Sequence, residues 1–219
     1  IQAVIILVLS ICVHEFGHAI VAYKLGDNTP KAQGRVTLNP MAHADPIGTL
    51  LFPLIALFAT GGKSMGFGWG KPVQVFPPNF TRKLENHVAH MLVAIAGPMM
   101  NVVLGTVIII VHTVLMKQGV LGAPDITAGI PTNLSAALYY ASFLNFILFF
   151  FNLIPAHPLD GGAVLDGFLP RHIRTSSGYQ EFQKYGFFIL FAVILIPGAS
   201  RLFTVPAGWV HSSLFRLFL

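Results

Sequence analysis

The run from Ile1 to Tyr23 holds a single formally charged residue, Glu15. A bilayer crossing takes about 20 mostly apolar residues, so this stretch is long enough to span one. An ionisable group at that depth is costly unless it meets a partner or water, and it marks a functional site by default. Glu15 lies within Val13-His14-Glu15-Phe16-Gly17-His18. On a helix His14 and His18 are one turn apart on one face, so both imidazoles can reach the same metal ion. Glu15 adjoins the first of them, where it can handle the proton of a water activated by that ion. The competing explanation is three polar residues lining a helix interface.

Composition agrees with a membrane setting. Of 219 residues, 54% are hydrophobic and 10% charged, against about 25% charged in a typical soluble domain, so an all-α, multi-pass membrane protein is expected. The net charge of +5 is not arranged as a basic stripe among aromatics, which argues against nucleic acid as a partner. The lone Cys12 excludes an internal disulfide and reads as a packing residue. Numbering begins inside the first apolar run without an initiator Met, so residues are expected upstream. The run carries the His-Glu-x-x-His pattern and lacks a positive leader, unlike a cleaved signal peptide.

Further crossings are expected at Val88–Met116 (interrupted by Gly97-Pro98), Leu134–Pro155 and Tyr185–Ser200. With the first run they give about four core transmembrane helices. The segment Ile47–Gly62 is apolar but short and contains Pro53, which suits a re-entrant or additional short helix. Gln33–Leu38 and Val73–Phe76 alternate like short membrane-associated β-strands, and either is a candidate to pair with an unwound substrate. The Gly- and aromatic-rich stretch 61–72 reads as a lid or interfacial loop. The chain forms one domain over 1–219, with a core of about 1–203 and an interfacial or transmembrane tail at 204–219.

Lys and Arg set the orientation. If 47–62 is re-entrant, ten of these residues lie on one side and Lys117, Arg201 and Arg216 on the other. The loops 24–87 and 156–184 are then cytoplasmic, in a cell (plasma or inner) membrane. His18 precedes Lys24 by six residues, about 9 Å of helix, so the site lies in the cytoplasmic third of the bilayer.

Hydrolytic zinc usually takes three protein ligands and keeps one position open. Asp160 is the leading third ligand. It ends a long stretch without charge from Ile126 to Leu159, inside Pro155-Ala156-His157-Pro158-Leu159-Asp160-Gly161-Gly162. Two prolines and two glycines suggest a rigid bend that presents the carboxylate at the level of His14 and His18. The alternative is an aspartate capping the next helix. Asp27 and Asp125 look like turn residues. His43 and Asp45 are candidates for a second shell around the site, with loop packing as the alternative. His157 is another, placed to orient a ligand.

The two motifs together, His14-Glu15-x-x-His18 and Leu159-Asp160-Gly161, resemble the site-2 protease family of intramembrane zinc metalloproteases (peptidase M50). Asn152 fits the Asn-containing form of the second motif, and Gly97-Pro98-Met99-Met100-Asn101 resembles the family's Gly-x-x-x-Asn motif. The likeness covers most of 13–170 and is to compact prokaryotic members, without a PDZ insertion or CBS domains. It implies one Zn2+ per chain, a lipid bilayer, and a membrane-protein substrate cleaved in or near a transmembrane helix. Membrane-tethered regulators such as anti-sigma factors are one such substrate class. On this reading His14, His18 and Asp160 hold zinc and Glu15 is the general base. Asn101 or Asn152 is then an oxyanion donor or, equally, a helix-interface amide. The rival function is a zinc or proton transporter relaying ions through buried His and Asp residues. The absence of carboxylates in Val88–Met116 and Ile126–Leu159 disfavours it. The oligomeric state is not legible in the sequence.

Overall fold

The computed structural model describes residues 2–61, 70–81, 83–125 and 133–219, with the side chain of Ile194 excepted. The elements in order are α1 (Gln2–Lys24), α2 (Thr29–Ala32), α3 (Pro40–His43), a π-helical turn (Pro46–Leu51) running directly into α4 (Phe52–Ala59), and a 3-10 turn (Pro77–Asn79). Then come α5 (Asn86–Lys117), α6 (Leu134–Asn152), α7 (Asp160–Phe168), α8 (Arg171–Arg174), α9 (Ser177–Leu195) and α10 (Arg201–Phe218).

Three of these, α1, α5 and α6, are long and apolar enough to cross a membrane. α5 is central, packing against α1, α6, α7 and α10. Small residues let the backbones approach, as membrane helices require. A Cβ on Gly17 of α1 would stand 2.6 Å from Ala96 O of α5, and one on Gly105 of α5 would stand 3.1 Å from Phe146 Cε2 of α6. The polarity is that of a membrane bundle. His14, His18, Asn101, Ser142, Asn145 and His211 are buried, while Ile5, Leu9, Val103, Val107 and Phe187 face outward. The helix starts carry ordinary caps: Asn133 Oδ1 accepts from Ala136 N at 2.8 Å, and Ser176 Oγ from Tyr179 N at 3.4 Å.

Two expectations need correction. The fourth crossing is absent among the described residues. α9 opens with polar Ser177–Lys184, so its apolar part from Tyr185 to Leu195 extends only about 16 Å, and the chain turns at Ile196 before α10 begins with Arg201. Nor is there any β-strand among the described residues. Gln33 and Gly34 close α2, with Gly34 at φ +67° and Arg35 N bonded back to Pro30 O, which bends the first segment. The second, 70–76, is extended but does not pair. Its donors go elsewhere: Lys71 N to His43 O, Val73 N to Glu15 Oε2 and Phe76 N to Asp27 Oδ2. Pro46–Ala59 is an apolar helical stretch shorter than a crossing. Most of the glycine- and aromatic-rich lid, residues 62–69, lies outside the described residues.

Candidate active site

α1 places His14 and His18 on the face turned to α5, with ring centroids 4.7 Å apart. Their Nε2 atoms are 3.0 Å apart. Asp160, the first residue of α7, brings Oδ2 to 3.1 Å from His14 Nε2 and Oδ1 to 3.4 Å from His18 Nε2. Among the described residues this is the one group of three His, Cys, Asp or Glu side chains that could hold a metal ion, its ligand atoms lying within 4.8 Å of one another.

The hydrogen bonds around the rings decide what those atoms are. His14 Nδ1 lies 2.7 Å from Asn101 Oδ1 and His18 Nδ1 lies 2.8 Å from Val93 O, both acceptors. Each Nδ1 therefore carries a proton, and each neutral ring turns an unprotonated Nε2 inward. Asp160 Oδ2 is buried and accepts no hydrogen bond, because the nitrogen beside it has no proton to give. Lone pairs converging at this range repel one another unless a cation lies among them. Tetrahedral zinc with bonds near 2.0 Å sets its ligand atoms about 3.3 Å apart, and the observed 3.0, 3.1 and 3.4 Å bracket that spacing. The residues fit zinc.

Backbone approach makes the cluster possible. A Cβ on Gly97 of α5 would lie 2.2 Å from His18 Nε2 and 2.9 Å from His14 Cε1. Pro98 follows, so Ala94 O has no helical N–H partner at that turn. Gly161 and Gly162 do the same for Asp160: their Cβ atoms would lie 2.3 Å from Ile154 O and 2.9 Å from His157 Cδ2. Asp160 bonds no helix amide, so the capping alternative is not what its carboxylate does. Burial works to raise the Asp160 carboxyl, yet the two imidazoles beside it hold it well below the usual carboxylate range.

Glu15 is half-buried, and its Oε2 accepts from Val73 N at 3.0 Å. The other candidates fall in different places. Asn101 is fully buried with both amide ends bonded. Asn152 ends α6, its Nδ2 donating to Leu148 O at 2.9 Å. Asp45 caps the π-helical turn, accepting from Ile47 N at 3.0 Å and Gly48 N at 2.6 Å. His43 is buried, its Nε2 at 2.8 Å from Thr37 O and its carbonyl receiving Lys71 N. Neither His43 nor Asp45 joins the metal group. His157 packs on the α7 turn, with Nε2 3.4 Å from Asp166 Oδ2.

Sequence reasoning missed Gly97 as a contact with the ligands, and it took Asp27 for a plain turn residue. Asp27 is fully buried and accepts from Thr29 N, Thr29 Oγ1, Asn79 Nδ2 and Phe76 N at 2.6 to 3.0 Å. It thereby ties the end of α1 to the segment that reaches Glu15. The Asp-x-Thr pattern was its only local signal.

Two histidines and a carboxylate beside a glutamate, carried by helices of membrane-crossing length, define a membrane-embedded metallohydrolase. The chain belongs to peptidase family M50, whose model matches residues 2–125 and 119–197. It is 34% identical over 215 residues to YwhC of Bacillus subtilis, a protein named as a zinc metalloprotease, covering 98% of this chain and 90% of that one. Rip2 of Mycobacterium tuberculosis, named likewise, is 28% identical over 212 residues, covering 96% of this chain and 70% of the relative. Zinc metalloprotease MJ0392 of Methanocaldococcus jannaschii is 28% identical over 167 residues, 76% of this chain and 34% of its own. No solved structure matches the chain significantly. Family membership overturns the transporter reading: the protein is a zinc metalloendopeptidase of the site-2 protease type.

Proposed function

We propose that the protein cleaves peptide bonds in or beside transmembrane helices of membrane-protein substrates, with His14, His18 and Asp160 holding one zinc ion and Glu15 acting as general base. The convergence of two imidazole lone pairs and a carboxylate, with no proton among them, is the observation that carries this reading. Zinc, when bound, polarises the scissile carbonyl and lowers the pKa of water toward 7. Glu15 takes the proton of the attacking water and delivers it to the leaving amide nitrogen. The Val73 amide holds one oxygen of that carboxylate and leaves the other for the transfer. Asn101 orients His14 and is not free to meet an oxyanion, since both ends of its amide are engaged. Asn152 is the remaining amide for that task, and its Nδ2 has to leave Leu148 O to perform it.

The site faces the cytoplasm. The end of α1, the start of α5 and the end of α6 meet on the side that carries Lys24, Lys31, Arg35, Lys63, Lys71, Arg82 and Lys83, while the opposite α5–α6 connection carries Lys117 alone. This argument needs only the three long helices. The test is elemental analysis of the purified protein and of Asp160→Asn, paired with cleavage of a transmembrane peptide in vesicles. About one zinc per wild-type chain, sharply weakened in the variant together with cleavage, is the expected result. Full zinc in Asp160→Asn would remove Asp160 from the site.

A further inference from the structure

α6 supplies no metal ligand, yet one of its residues fixes the protonation of His14. Asn145 is fully buried, and its Nδ2 donates to Ala141 O at 2.9 Å and to Ser10 Oγ at 3.0 Å. A main-chain carbonyl can only accept, so the Asn145 amide cannot be flipped and its Oδ1 must be the acceptor. That Oδ1 receives Asn101 Nδ2 at 2.8 Å, and the same nitrogen donates to Ser10 O at 3.2 Å. Asn101 is therefore locked with Oδ1 toward His14 Nδ1. All four amide hydrogens of the pair are used, on four acceptors.

We infer that Asn145 is a positioning residue for the metal centre: with Ser10 and Asn101 it forms a one-way chain of hydrogen bonds that keeps the His14 proton on Nδ1 and the Nε2 lone pair toward the ion. The inference rests on the metalloprotease reading. The polarity of the chain originates at two backbone carbonyls, Ala141 O and Ser10 O, on two different helices. The tautomer of a ligand on α1 thus depends on the packing of α1 against α5 and α6. Outer partners of metal-bound histidines typically change metal affinity by about 10- to 100-fold when removed.

The test measures zinc affinity by competition with a chromophoric chelator, together with the visible spectrum of the cobalt-substituted protein, in wild type, Asn145→Leu, Ser10→Ala and Ser142→Ala. Asn145→Leu keeps the bulk and removes the amide, and zinc should bind about 10-fold more weakly or worse, with an altered cobalt spectrum. Ser10→Ala removes one acceptor and should give a smaller loss in the same direction. Ser142→Ala removes a different buried bond on α6, the 2.9 Å contact with His211 Nε2, and should leave both readouts unchanged. Equal zinc affinity and an unchanged spectrum in a folded Asn145→Leu overturn the inference. If that variant does not fold, an unchanged Ser10→Ala overturns it. Failure of the wild type to bind zinc would instead defeat the metalloprotease reading on which it stands.

Discussion

A Cβ on Gly97 would stand 2.2 Å from Nε2 of His18, the atom that faces the metal. The helix that holds no ligand is thus set against those that do, with no room for one methyl group. Gly97→Ala should improve the intrinsic helix propensity of α5 by up to about 1 kcal/mol and still cost zinc affinity at least about 10-fold, as displacement of a ligand does. Zinc titration of the variant, alongside its thermal unfolding without metal, checks this. Metal binding at wild-type strength would mean that α5 moves away freely.

Glu15 lies outside the trio of ligand atoms, so Glu15→Gln should keep zinc within a few-fold of wild type. Loss of general base catalysis should slow cleavage by about 100- to 10,000-fold. Elemental analysis and the initial rate on a transmembrane reporter in vesicles separate the two effects. Loss of zinc in this variant would place Glu15 among the ligands.

Asp27 gives the loop a dependence on pH. Burial works to raise its carboxyl, but the donors Phe76 N, Thr29 and Asn79 outweigh that and hold it below the ordinary 3.8. A carboxyl lowered by folding contributes stability that is fully present above 3.8 and is lost as pH falls through the folded value. Hydrogen exchange at the Phe76 amide reads this directly. Protection should decline only below pH 3.8 in the metal-free wild type, and be absent at neutral pH in Asp27→Ala. Protection that survives in the variant would mean that the loop is held by other contacts.

The sequence made the chemistry legible because the ligands obey local rules. His14 and His18 are one helical turn apart in an apolar run that leaves Glu15 conspicuous, and Asp160 stands between prolines and glycines at the end of an uncharged stretch. The long helices α1, α5 and α6 followed from hydropathy for the same reason. Tertiary demands were hidden. Val73–Phe76 alternates like a strand, but its amides bond to Glu15 and Asp27, partners 58 and 49 residues away. The apolar count at Tyr185–Ser200 did not reveal that Ile196 to Ser200 turns rather than continues the helix. Gly97 read as an interruption of a span, since nothing local says that two imidazoles occupy the space its side chain would take. Asn101 could be named from its motif, whereas its direction is decided by Ser10 and Asn145, 91 and 44 residues distant.

The 3.0 Å bond from Val73 N to Glu15 Oε2 has a genetic corollary. The donor is main chain, which nineteen of the twenty residue types supply equally, so alanine scanning of the loop passes over it in silence. Proline alone removes the hydrogen. Val73→Pro should therefore depress cleavage where Val73→Ala does not, with zinc content unchanged in both. What selection can act on is the path of the segment: Gly70, whose Cβ would sit 2.4 Å from Ile11 Cγ2, and Pro72 beside the donor. The position that steadies the catalytic carboxylate is free to drift in sequence while its neighbours are not.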